Sequence, residues 1–216
     1  MRFKGSLHGV LVDPTQFVAK GVWSLQEHAD YRRRNVWPFA GVGDALDPAT
    51  LGSGISLSNA NRQAINSDTS WGNVRGVTSR SSGKWYYEVE VLNDSGGGYL
   101  MFGIDVTGAN SNTYHGANAS GFGYQSNAQK WTNNGSASYG DPWTTGAVIG
   151  IALDFDAGTI SYLKNNVSQG VAHSSVAGTF YPCISMYGSG QEVLCRFQAA
   201  HFIYSPPASH SAWVAG

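Results

Sequence analysis

Glu88 and Glu90 lie two residues apart in Lys84-Trp85-Tyr86-Tyr87-Glu88-Val89-Glu90-Val91, so on a strand their carboxylates share one face. A retaining glycosidase needs two carboxyl groups about 5 to 5.5 Å apart, and such a strand can supply them. The acidic alternation ends there, because the run continues Val91-Leu92-Asn93, and this weighs against catalysis. Asp154 and Asp156 offer oxygen ligands, but calcium takes about six to eight, and hairpin geometry around Gly158 accounts for the pair better. His8, His28, His115, His173, His201 and His210 show no zinc-ligand spacing. Cys183 and Cys195 sit on separate apolar runs that fit neighbouring strands. A disulfide and two buried thiols both remain open, and neither thiol has a sequence-local histidine to activate it. The expectation is no enzyme, no metal and no cofactor, with glycan cleavage as the least favoured alternative.

A further constellation is aromatic. Tyr99 follows Gly96-Gly97-Gly98, Tyr114 stands beside His115, and Trp131, Tyr139, Trp143 and Tyr187 fall in or near turn-rich stretches. Aromatic side chains with a polar tip give large contact area at low entropic cost, and neighbouring Asn and Ser add adaptable hydrogen bonds. Tyr114, His115 and Tyr187 are the leading candidates for ligand contact, followed by Tyr99, Trp131 and Trp143. Tyr139 and Trp143 also fit a core.

The elements that must position these residues are strands. Lys84 to Val91 is glycine-bounded and rich in aromatic and β-branched residues, which makes it a central antiparallel strand with Trp85, Tyr87, Val89 and Val91 on one face. Short apolar runs follow at Leu100–Val106, Gly121–Tyr124, Val148–Phe155, Thr159–Leu163, Phe180–Met186 and Val193–Phe197, with weaker signals at Ile55, Leu57, Val74 and Val77. Turns are sharpest at Asn133-Asn134-Gly135, Asp156-Ala157-Gly158 and Asn165-Asn166, where positive φ is cheap. This pattern predicts an all-β antiparallel sandwich. Upstream, Ser24 and Glu27 form a capping-box pattern for a short helix over Leu25–Asn35, stopped by Pro38. Gly41–Gly54 lacks periodicity and reads as a linker. The expected division is 1–45 as an N-terminal segment, 46–199 as the sandwich and 200–216 as a tail.

The 216 residues carry a net charge of −1 with only 12% charged residues, so no basic field exists for a phosphate backbone and nucleic acid is not expected as a partner. No run reaches the roughly 18 apolar residues of a membrane span, and membrane insertion is not expected. The opening residues lack a signal-peptide pattern, which places synthesis in a cytoplasm.

Two resemblances add to this reading. Gly21-Val22-Trp23-Ser24-Leu25-Gln26-Glu27 through Tyr31-Arg32-Arg33-Arg34-Asn35-Val36-Trp37-Pro38 resembles a segment of bacteriophage tail and tail-fibre proteins. Ser82–Val89, Gly121-Phe122-Gly123-Tyr124, Tyr139-Gly140, Gly146–Tyr162 and Phe180–Ser185, in order and spacing, resemble a SPRY domain over roughly residues 50–198. That resemblance implies a bent, concanavalin A-like β-sandwich and a non-catalytic module that binds through loops at one edge or face. The Gly-, Ser- and Asn-rich loops depart from the usual eukaryotic pattern, so peptide ligands of eukaryotic relatives are not transferred. Together the resemblances imply a virion structural protein of a tail or tail fibre, adsorbing to a host surface protein or glycan. The implied partners are other virion tail proteins, through the N-terminal segment, and further copies of the chain as a homo-oligomer. A purely architectural role in the tail or baseplate is the alternative.

Overall fold

The computed structural model describes residues 43–95 and 97–215, and the expected capping box and helix over 25–35 lie outside them. The strands are β1 (Ile55–Ser58), β2 (Gln63–Asn66), β3 (Gly72–Arg75), β4 (Lys84–Asn93), β5 (Met101–Asp105), β6 (Phe122–Gln125), β7 (Gln129–Thr132), β8 (Gly135–Ser138), β9 (Val148–Asp154), β10 (Thr159–Lys164), β11 (Val167–His173), β12 (Tyr181–Met186), β13 (Glu192–Arg196) and β14 (Ser211–Ala212). Helix among the described residues is limited to single 3-10 turns at Pro48–Thr50 and Ala199–His201. One sheet runs β1-β2-β13-β4-β9-β10-β11 and the other β3-β12-β5-β6-β7-β8. This is the all-β sandwich that the alternation predicts.

The expected turns form with the expected backbone. Asn133 and Asn134 (φ 50° and 56°) join β7 to β8, and Asn165 and Asn166 (φ 48° and 67°) join β10 to β11. Left-handed Asn pairs match the twist of the flanking strands in two-residue hairpins.

Tyr87, Val89 and Val91 of β4 and Ile149, Ile151 and Leu153 of β9 close one core with Phe102, Ile104, Tyr124 and Ile184 of the opposite sheet. Each fully buried side chain of this size contributes about 1.5–3 kcal/mol. The outward face of β4 is buried as well: Tyr86 and Glu88 are both fully covered. Gly150 makes room for this, since a Cβ there would lie 2.3 Å from the Tyr86 hydroxyl.

The cover comes from the C-terminal segment. Phe202 packs edge-on against Tyr86 at 5.1 Å. The Ile203 and Tyr204 amides donate to Glu88 Oε2 and Oε1 at 2.7 and 2.9 Å, and the Tyr86 hydroxyl donates to Oε1 at 3.0 Å. β14 then adds in parallel to β4 opposite Trp85 and Tyr86, and Trp213 enters the core fully buried, its indole N–H on Thr78 O at 2.7 Å. The segment read as a tail from 200 is thus part of the sandwich; it escaped notice because it carries no alternating run. At the other end Leu46 is fully buried and bridges Gly76, so the stretch read as a linker already contributes to the core.

Cys183 lies on β12 and Cys195 on β13, in different sheets, as free buried thiols. The expected adjacency of their strands does not occur, and burial pushes both thiols up, away from reactive thiolate.

Two buried histidines tie stability to pH. His115 is the buried member of the β5–β6 loop, with its backbone N–H and Nδ1 on Ser185 Oγ at 3.0 and 2.6 Å. His173 lies against Phe122 at 5.2 Å. Burial lowers His115 from 6.5 to about 3 and His173 to about 4.

Trp213→Ala should cost about 3–5 kcal/mol in urea denaturation, as large-to-small core changes do. A chain ending at residue 199, which also strips two donors from Glu88, should lose the cooperative transition altogether; an unchanged melt would show that the C-terminal segment is dispensable. The unfolded chain protonates both imidazoles below about pH 6.5 whereas the folded chain resists, so stability is full above that pH and falls towards pH 4, by up to about 1.4 kcal/mol per pH unit per histidine. His115→Gln should flatten the slope of the urea midpoint between pH 6.5 and 4, and an identical slope would remove His115 as its source.

Candidate docking surface

Antiparallel register gathers the candidate aromatics at one end of the second sheet. Gly72 of β3 pairs Met186 of β12, and Ser185 pairs Met101 of β5. The residue before β3, the residue after β12 and the stretch before β5 therefore emerge side by side: Trp71, Tyr187 and Tyr99. Their ring centroids are 5.5 Å (Trp71–Tyr187), 5.1 Å (Tyr99–Tyr187) and 6.1 Å (Trp71–Tyr99) apart. Tyr114, from the β5–β6 loop, reaches Trp71 at 5.2 Å and Trp131 of β7 at 5.2 Å. Tyr99 is 46% exposed and Tyr187 36%.

Four of the six predicted residues thus share one surface: Tyr99, Tyr114, Trp131 and Tyr187. The other two do not join it. His115 is buried: it follows Tyr114 into a turn closed by the Ala117 N–H on Tyr114 O at 3.2 Å, and its own N–H and Nδ1 lie on Ser185 Oγ. Trp143 is 4% exposed and stacks on Phe102 at 4.7 Å, inside the core. Trp71 is the member that sequence reading missed. Its clue was a lone tryptophan after Asp68-Thr69-Ser70, immediately ahead of the weak β3 signal.

Three buried amide side chains hold the loops. Gln191 Oε1 accepts from the Tyr187 and Gly188 amides at 2.9 and 2.8 Å, and its Nε2 donates to Asp94 Oδ1 at 3.0 Å. Asn73 Nδ2 donates to the Asn110 and Thr113 carbonyls, both at 2.8 Å, which fixes the stretch leading to Tyr114. Asn66 Nδ2 donates to Gly188 O at 3.2 Å. The Tyr114 hydroxyl donates to Asn134 Oδ1 at 2.6 Å, tying its loop to the β7–β8 turn. Satisfied polar groups of this kind rigidify the backbone they bind.

The carboxylate pair is engaged elsewhere. Glu88 lies under the C-terminal segment with three donors on its oxygens, and Glu90 pairs with Arg196 at 2.5 Å. Asp154 pairs with Lys84 at 2.8 Å and accepts from the Asp156 and Ala157 amides, as a turn-forming residue does.

Residues 84–198 match the family model of the SPRY domain. Ran-binding protein 10 of Danio rerio is 29% identical over 133 residues, covering 61% of this chain and 22% of that protein. The Ran-binding proteins 9/10 homolog of Drosophila melanogaster is 31% identical over 120 residues, 54% of this chain and 12% of that one. The chain spans less than a quarter of the length of these curated relatives. Among solved structures, the SPRY domain of human HERC1 aligns with a TM-score of 0.62 at 21% identity, over 70% of this chain and 97% of that one. The TRIM65 PSpry domain aligns with a TM-score of 0.59 at 16% identity, over 72% and 93%.

These relatives correct the expected biology. They are animal Ran-binding proteins, not phage components, so the expectation of a virion tail or tail-fibre protein that docks on other tail proteins and adsorbs to a host surface protein or glycan is withdrawn. The N-terminal likeness behind it rested on a capped helix and two tryptophans, too few positions to carry an assignment, and those residues lie outside the described ones. What the matched residues and the sandwich carry is the family: the chain belongs to the SPRY domain family.

Proposed function

We propose that this domain is a non-catalytic docking module, holding a segment of a partner protein against the surface formed by Trp71, Tyr99, Tyr114 and Tyr187. The observation that carries this reading is the convergence of aromatic rings from separate loops onto one rim, with Tyr99 and Tyr187 exposed and the chain at Tyr187 and leading to Tyr114 pinned by buried amides. Aromatic anchors on fixed loops lose little entropy on binding and concentrate binding energy in a few contacts. Support for the absence of catalysis is chemical: the carboxylates at strand spacing have structural donors, and both thiols are buried and held protonated. The relatives are named as Ran-binding proteins, which makes Ran one partner to test directly.

The test is selection from a random dodecapeptide library on the full chain, with Kd values measured for the recovered peptides and for purified Ran. Tyr187→Ala and Trp71→Ala should each weaken binding by about 30-fold or more, the scale of a central aromatic anchor. Tyr187→Ala should change folding stability by less than about 1 kcal/mol, because the ring is partly exposed. Ligands that bind both variants at parental affinity would place the docking surface elsewhere. Hydrolysis of a polysaccharide that Glu88→Gln abolishes without lowering the melting temperature would overturn the non-catalytic reading.

A further inference from the structure

Among the described residues, the charged groups that adjoin the aromatic rim in sequence or by hydrogen bond are two carboxylates. Asp68 precedes Trp71 by three residues, its Oδ2 accepting from Ser53 Oγ at 3.1 Å and Ser70 Oγ at 2.9 Å, and its Oδ1 from the Thr69 amide at 2.7 Å. These bonds, the Thr69 amide first, hold its carboxyl below the usual range, so it stays ionised. Asp94 accepts from Gln191, the residue that fixes Tyr187.

The cations of the described residues are placed elsewhere. Arg62 lies against His201, Arg75 donates to Val106 O, Arg80 to Trp213 O and Lys130 to Ala172 O. Lys84 and Arg196 pair with Asp154 and Glu90, and Lys164 sits at the β10–β11 hairpin. Among the described residues, neither Asp68 nor Asp94 has a cationic partner.

Ring geometry narrows the ligand further. With centroids 5.1 to 6.1 Å apart, Trp71, Tyr99 and Tyr187 pack directly on one another and leave no gap for an inserted group. A ligand must lie across their outward surfaces. A planar guanidinium suits this placement: it stacks on aromatic rings, is weakly hydrated, and keeps edge N–H groups for carboxylates at the side.

We infer that the rim selects a peptide segment bearing an arginine, which stacks on the Trp71–Tyr99–Tyr187 cluster and donates to Asp68 or Asp94. This rests on the docking reading above and names the chemistry of its ligand. Steering by two carboxylates makes the association weaken with salt, while the stacked contact persists.

The dodecapeptides recovered on the full chain are the probes. Those whose binding needs Tyr187 should share an arginine at a fixed position. Exchanging it for citrulline, which keeps the shape and removes the charge, should weaken binding about tenfold. That difference should shrink in Asp68→Asn combined with Asp94→Asn, which keeps one side-chain oxygen at each position for the Thr69 and Gln191 N–H donors, while the Ser53 and Ser70 hydroxyls can turn to accept from the new amide; melting curves verify that the variant folds. Tyr187-dependent peptides without a shared cation, or with equal affinity for arginine and citrulline, would overturn the inference and leave the docking reading standing. An arginine–citrulline difference unchanged in the double variant would remove the two carboxylates from the mechanism and overturn it in that form. Recovery of no Tyr187-dependent peptide would instead fail the docking reading, and the inference with it.

Discussion

The sandwich depends on β4 being buried on both sides. Its inward residues Tyr87, Val89 and Val91 make the inter-sheet core, but its outward residues Tyr86 and Glu88 would leave an aromatic ring and a carboxylate half-covered if nothing lay over them. An ionised carboxylate taken from water is tolerable only when donors replace its hydration. The Ile203 and Tyr204 amides are those donors, so a charge in the middle of the central strand fixes where the chain must pass almost 120 residues later. Once it passes there, Trp213 can reach the core next to Tyr87 at 5.5 Å, and Arg80 can close over the end by donating to Trp213 O. The same residue that invites a catalytic reading is therefore a fold determinant.

The rim is a consequence of register rather than of any single loop. Because β12 runs antiparallel to both β3 and β5, one end of that strand triplet collects one departing chain and two arriving ones. Three segments far apart in sequence then present a ring each at the same place, and a fourth follows from the β5–β6 loop because Asn73 anchors it. Rings alone would not make a docking surface, since a mobile loop spends binding energy on ordering itself. Gln191, Asn73 and Asn66, all buried, remove that cost in advance.

Much of the fold is legible in the sequence where burial is one-sided. β4, β5, β9, β10, β12 and β13 all show the alternation or apolar runs that a half-buried or central strand requires, and the Asn-Asn and Ala-Gly turns mark the hairpins. β7, β8 and β11 are not legible, because they lie at or next to the sheet edges and show no apolar alternation; β8 is exposed along its whole length. β14 is two residues long and its signal is tertiary. Of the site, Tyr99, Tyr114, Trp131 and Tyr187 could be picked as loop aromatics, but the same criterion chose Trp143, which a stacking partner on the facing sheet draws inside. His115 stands in a turn whose fold carries it inward onto Ser185 Oγ, a tertiary partner that its sequence neighbours do not signal. The amides that hold the loops carry no signal at all, as a buried Asn or Gln looks like any polar loop residue until its partners are placed.

Packing among the rings also decides what sort of recognition the rim can perform. An open cage of aromatics reads a ligand by size, because the group must fit between the walls. Trp71 instead meets Tyr99 and Tyr187 edge to face while the two tyrosines lie tilted at 42°, which spares each ring part of its exposure. A rim packed in this way discriminates poorly by shape, so selectivity must come from its margins. There the polar groups are either committed to the backbone, as Gln191 and Asn73 are, or ionised and accessible, as Asp68 is. On the docking reading proposed above, the rim tolerates varied apolar contacts at its centre and discriminates by charge at its margin, so changes in Asp68 and Asp94 retune the partner without disturbing the sandwich beneath.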